Sequence, residues 1–375
     1  MSFESFAAAH SSIIWSGFIL AFIMGAVVTK TNFCTMGAVS AMVLVGESSR
    51  FRSWMLAVAV AILGTQALHM MEFIDLALPA ADGGAIYLTP NLGWPGAILG
   101  GLLFGYGMTM AGGCGNKTLV RIGGGNLKSI VVFLIMGITA YMTLRGLIGL
   151  GRLELEAFNA DLTNFGLESQ SMVEMLGAMV GMETESLRLG FTLVAAGAIM
   201  AYCFKGAEFR ETPRDIIAGL LIGLMVPVGW YITGVLGADD FDPTPLFSFT
   251  FVAPSGESIQ YMMTFTGATI NFGIATVGGV IAGSFLVSIF TKSFHVEAFG
   301  DSNDMMRHMF GAVIMGIGGV LALGCTIGQG LTGMSTLSLG SLIALVSIII
   351  GAVWGLKSLE EDSVMGGLKA MFSRE

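Results

Sequence analysis

Charge is scarce in this chain: 11% of its 375 residues are charged, against 54% that are hydrophobic. Soluble domains carry about 25% charged residues, so the composition excludes an ordinary soluble protein. The 4 cysteines form no CxxC or Cys/His spacing, which argues against a zinc site and against a secreted disulfide framework. His10, His69, His295 and His308 are scattered near segment ends and read as interfacial residues, so neither a metal nor a cofactor is expected. No G-x-x-x-x-G-K-[ST] loop is present, and the glycines at 123–126 follow no strand, so nucleotide-driven transport by this chain alone is not expected. A net charge of −9 offers no basic surface to nucleic acid. The start MSFESFAAAH lacks the basic n-region of a signal peptide, so the first apolar segment is expected to be kept.

What the chain does have is long apolar runs. Charge-poor stretches at 12–46, 53–71, 96–113, 129–150, 189–204, 216–236, 262–291, 309–335 and 336–356 supply about nine spans of the ~20 residues a membrane helix needs. The 54 glycines suit close helix packing and interrupted helices. Basic residues cluster at Arg50/Arg52, Lys205/Arg210/Arg214, Lys292/Arg307 and in the tail with Lys357, Lys369 and Arg374, which places those segments in the cytoplasm. Acidic loops from Glu72 to Asp82, Glu154 to Glu185 and Asp239 to Glu257 alternate with them and fall outside. The fold class expected is an all-α polytopic membrane protein of about nine crossings, N-terminus out and C-terminus in, with 12–46, 96–128 and 309–335 each a helix broken near a cysteine. Crossings one to four form a first half (1–186), a linking crossing and cytoplasmic loop follow (187–214), and crossings six to nine form a second, inverted half (215–375).

The inversion shows in a repeated pattern. Gly105, Gly107, Gly113 and Cys114 match Gly316, Gly318, Gly324 and Cys325 without a gap, and Gly25 precedes Cys34 by the same nine residues that separate Gly105 from Cys114. The sixth crossing has Ile232 where a fourth cysteine would stand, and Pro227 is expected to break the helix there. Cys203 falls outside the pattern and reads as structural. Three cysteines at repeat-related positions point to a membrane pathway lined by thiols, whose soft sulfur suits a solute carrying its own sulfur. Irregular backbone at Gly113, Gly115, Gly324 and Gly328 leaves free N–H groups at half-helix N-termini, where an anion is favoured. Lys30, Lys117 and Arg121 add positive charge, each with snorkelling to an interface as the alternative, and Asn116, Thr118, Thr326 and Gln329 offer hydrogen bonds within four residues of a pathway cysteine. Met36 and Met110 are weaker candidates for a soft path.

The stretches GGCGNKTLVRIGGGNLKS (112–129), GCTIGQGLTG (324–333) and NFCTMGA (32–38) resemble the YeeE/YedE family of sulfur-compound transporters, over nearly the whole chain. The resemblance implies a bacterial inner-membrane permease, hourglass-shaped about a pseudo-two-fold axis, that takes up thiosulfate. The family's three pathway cysteines fall on Cys34, Cys114 and Cys325, passing the anion by successive S–H contacts without covalent chemistry and with little protein movement. It also implies a small cytoplasmic sulfurtransferase of the TusA type as a partner. Some branches handle selenium compounds, and the residues do not separate the two. Two other readings stay open: a membrane sulfurtransferase in which Cys114, activated by Lys117, attacks sulfur, and an assembly subunit whose cysteines merely pack. No Asp or Glu sits mid-crossing, which favours facilitated passage over proton coupling.

Overall fold

The computed structural model describes residues 3–78, 83–237 and 245–372, apart from the side chains of 3–10 and Phe372. The side chain of His10, and Asp82, Asp239 and Arg374 of the charge pattern, lie outside the described residues.

The chain is a succession of helices joined by short turns. It opens with α1 (Phe3–Thr31), interrupted before α2 (Thr35–Ser40), and continues with α3 (Ser49–Met70), α4 (Trp94–Met110), α5 (Gly115–Gly123) and α6 (Leu127–Arg145). Short helices α7 (Gly149–Glu156) and α8 (Met172–Val180) precede α9 (Thr184–Lys205), α10 (Ala207–Arg210) and α11 (Pro213–Tyr231). The last part holds α12 (Val252–Met263), α13 (Phe272–Phe290), α14 (Ser302–Leu321), α15 (Leu339–Glu360) and α16 (Val364–Phe372). Among the described residues the extended structure is one short antiparallel pair, β1 (Asn91–Leu92) with β2 (Ala160–Asp161).

Eight segments are long and apolar enough to cross a membrane. The fold is an all-α polytopic membrane protein. The ninth expected crossing is α14, whose opening SNDMMRH makes its first two turns polar. It nevertheless packs along α4 in the opposite direction: Gly107 meets the Gly311 carbonyl, and Gly96 meets that of Leu321.

Glycine makes these contacts close. A Cβ placed on Gly105 would lie 2.1 Å from the Ile348 carbonyl oxygen of α15, and one on Gly318 would lie 2.5 Å from the Phe104 nitrogen of α4. With lipid as apolar as the side chains, such backbone approach is what holds membrane helices together. The main pairings are α1 with α13, α3 with α11, α4 with α15 and α14, and α6 with α14.

Pro227 does not break its helix, contrary to the sequence expectation. The α11 helix runs through it to Tyr231 and continues as a π turn over Ile232–Leu236. The proline ring packs against Gly64 of α3, and the Ser248 hydroxyl donates to the Val226 carbonyl at 2.8 Å. Neighbouring groups of this kind let a membrane helix tolerate proline.

Candidate functional site

The three interruptions of the sequence pattern share one geometry. Two residues before each cysteine the backbone is left-handed: Asn32 at φ 58°, Gly112 at 72° and Leu323 at 57°. Each cysteine then begins a new helical turn, because its carbonyl accepts the first bond of that turn. Ala38 donates to Cys34 at 2.9 Å, Thr118 to Cys114 at 2.9 Å and Gln329 to Cys325 at 2.7 Å. The two Gly-Cys copies also close the preceding helix identically: Gly113 N–H donates to Met108 and Gly324 N–H to Gly319, both at 2.8 Å. That six-to-one bond across a left-handed residue is a Schellman end. Cys34 and Cys114 thus sit at the N-caps of α2 and α5, where unpaired N–H groups and the helix dipole favour negative charge, and Cys325 opens the turn that leads into the π-helical stretch Gly328–Gly333. At Cys325 the contact is direct, with Gly328 N–H donating to Sγ at 3.4 Å.

The fold brings the cysteines into one buried cluster. The Cys34 and Cys114 thiols face each other in interaction range, and Thr326 borders Cys114 from the neighbouring turn. Beyond Thr326 lies Cys325, close to the Thr250 hydroxyl and the Phe251 backbone. Cys114 and Cys325 are 1% and 0% exposed, and Cys34, at 9%, is the most open.

The polar candidates divide. Asn116, Thr326 and Gln329 are buried, and Asn116 Oδ1, Thr326 Oγ1 and Gln329 Oε1 have no hydrogen-bond partner among the described residues. Gln329 spends its Nε2 on the Ala322 carbonyl. Thr118 instead bonds its own turn, donating to the Cys114 carbonyl at 3.1 Å. A buried polar atom without a partner costs about 1–3 kcal/mol, so atoms clustered at thiols are poor structural choices and good solute contacts. Lys117 donates to Asn32 Oδ1, and Arg121 to the Gly112 carbonyl at 2.6 Å, so both are held at the cysteine turns. Lys30 is exposed at the end of α1 and contributes its carbonyl, which accepts from Arg214.

At the four glycines named from sequence, space is unequal. A Cβ would meet Lys117 Cγ at 3.2 Å from Gly113, Gln329 N at 3.2 Å from Gly324 and Thr250 Oγ1 at 2.6 Å from Gly328, whereas Gly115 has only ordinary contacts, the nearest at 3.6 Å. Nothing in the residue pattern pointed to Thr35, Tyr87 or Thr250. Thr35 follows Cys34 and has an unpartnered buried hydroxyl. Tyr87 and Thr250 reach Cys325 from loops far away in the chain, and only the fold reveals them. Burial pushes the Tyr87 phenol well above the usual range, so it stays an O–H group.

Cys203 packs with Leu56 and Phe209 and donates to the Arg52 carbonyl at 3.2 Å, in a cluster separate from the other three cysteines. Among the described residues no group of three or more His, Cys, Asp or Glu side chains is placed to hold a metal ion.

Residues 30–354 match the family described as sulphur transport. The chain belongs to this family. It is similar to the thiosulfate transporter TsuA of Escherichia coli (strain K12), with 27% identity across 92% of this chain and 93% of that protein. It is equally similar, at 27% identity across 90% of this chain and 97% of the relative, to the thiosulfate transporter TsuA of Spirochaeta thermophila. The match covers all three cysteine turns, so the shared region includes the whole candidate pathway.

Proposed function

We propose that this protein is an inner-membrane permease that takes up thiosulfate or a closely related sulfur anion along Cys325, Cys114 and Cys34. The observation that carries the reading is the set of three buried thiols, each opening the turn that follows a helix interruption and accompanied by polar atoms without a partner among the described residues. An anion with a soft sulfur end and a hard oxygen end meets sulfur at the thiols and donors at the backbone. Family membership and the two thiosulfate-transporter relatives support the substrate class. The glycine contacts of α4 and α14, which repeat in reverse, support two inverted halves with residues 187–214 between them. The positive-inside rule puts the Lys30, Arg50 and Arg214 end in the cytoplasm, with the N-terminus outside and the C-terminus inside. A cytoplasmic sulfurtransferase of the TusA type fits as the consumer of the anion.

The test is growth of a sulfate-uptake-deficient bacterium on thiosulfate as sole sulfur source. Growth restored by the parent chain and lost in Cys114→Ala, with equal membrane expression, is the expected result. Equal growth with both would remove Cys114 from the path.

A further inference from the structure

The loop that carries Cys34 is held by cations from three separate elements. Arg50 of α3 donates to the Asn32 carbonyl at 2.9 Å, Lys117 of α5 donates to Asn32 Oδ1, and Arg214 of α11 donates to the Lys30 carbonyl. Arg121, one turn beyond Lys117, also acts electrostatically on Cys34. Among the described residues none of these four makes an ion pair, whereas Lys128, Arg152, Arg188, Arg307 and Lys357 all do. Four cations with one carboxylate, Asp215, lining the same recess as Arg50 repel one another, and neutral carbonyls compensate them only in part. The Arg50 guanidinium lies over Gly37, where a Cβ would come within 2.7 Å of it, so the glycine is what admits it.

The setting is a mouth. Asn32 is exposed and Cys34 lies directly behind it. The recess they share with Arg50, Ser53 and Asp215 has a volume of only about 10 Å³, at the lower limit for one water. Asp215 is the one carboxylate lining it.

We infer that Arg50, Lys117 and Arg214, with Arg121 behind them on the Gly112 carbonyl, form an oxyanion site on the solvent side of Cys34, which takes the oxygen end of the departing anion in exchange for the Lys30 and Asn32 oxygens that the first three hold here. Guanidinium groups match two oxygens of such an anion at once, and their exchange partners are neutral carbonyls that water can replace. Release of the Lys30–Cys34 loop opens the recess, so the anion unlocks its own exit. Sulfur faces Cys34 while oxygen faces the cations, which orients the solute. This rests on the permease reading above, and its test is independent of transport.

The probes are two membrane-impermeant thiol reagents of similar size, the anionic 2-sulfonatoethyl methanethiosulfonate and its cationic trimethylammonium counterpart. They are added to the membrane face where Arg214 ends, and modification of Cys34 is followed by peptide mass. In the parent the anionic reagent is expected to react at least about tenfold faster, and added thiosulfate to slow it. In Arg50→Gln/Arg214→Gln the ratio is expected to fall about tenfold, with Arg50→Lys close to the parent. If the double variant does not fold, Arg214→Gln alone, on the exposed rim, is expected to lower the ratio by about threefold. Equal rates in the parent, no reaction with either reagent, or an unchanged ratio in the folded variants would overturn the site. A charge preference that behaves as expected in a protein that restores no growth on thiosulfate would instead overturn the permease reading and leave an anion site.

Discussion

At the scale of single residues, the three cysteines are separable by chemistry. Cys114→Ala and Cys325→Ala are expected to abolish thiosulfate uptake with normal expression, and Cys→Ser to retain some, because a hydroxyl keeps the donor but loses the soft sulfur. Uptake of radiolabelled thiosulfate into cells measures both. A sulfurtransferase would lose turnover through one cysteine alone, whereas a path is weakened at each of three. Leu323 supplies a different test. A left-handed conformation costs a non-glycine residue about 1–2 kcal/mol, and Leu323 is 47% exposed, so its side chain recovers little by packing. Leu323→Gly is therefore expected to raise the melting temperature in detergent. No rise would mean that this leucine makes a compensating contact with lipid or a partner. The three cysteines stood out in the sequence, but their left-handed turns did not: Asn32, Gly112 and Leu323 share a conformation but no residue type, and the bend is imposed by the turn rather than by local preference.

At the scale of elements, the broken helices were readable and their exact means of breaking was not. Gly and Cys spacing located all three interruptions, because a helix that must end and restart within a few residues needs glycine at the close approach. Pro227 misled for the opposite reason, since a proline flanked by Gly64 and Ser248 has its steric and hydrogen-bonding demands met by neighbours. Tyr87 and Thr250 stayed hidden because their roles come from distant segments meeting at Cys325. The packing makes a graded prediction across the two Gly-Cys turns. Gly113→Leu and Gly324→Leu are expected to stop uptake, whereas Gly115→Ala, with only ordinary contacts, is expected to keep most of it. Uptake scored against surface expression checks the series. Equal loss at all three sites would show that the contacts do not set the outcome.

At the scale of the whole molecule, the alternation of charged loops corresponds to two ends of a bundle. Arg52 reaches the carbonyl of Cys203, near the end of α9, and Arg214 that of Lys30 at one end. At the other end Met172 pairs with Leu337, and Leu162 with Pro90. Reporter fusions are expected to place residue 375 in the cytoplasm and the N-terminus outside. The reverse result would invert the direction of the proposed path, with Cys34 becoming the first thiol met.

The α4 helix has glycines facing two neighbours at once. Gly100 and Gly107 turn to α14, Gly101 and Gly105 turn to α15, and a Cβ at any of the four would come within 2.7 Å of a neighbouring atom. Mutational tolerance along this helix is then set by backbone contact and not by polarity. A saturation library selected for growth would leave these four positions as glycine alone, while exposed Ile98 and Leu99 beside them accept any apolar residue.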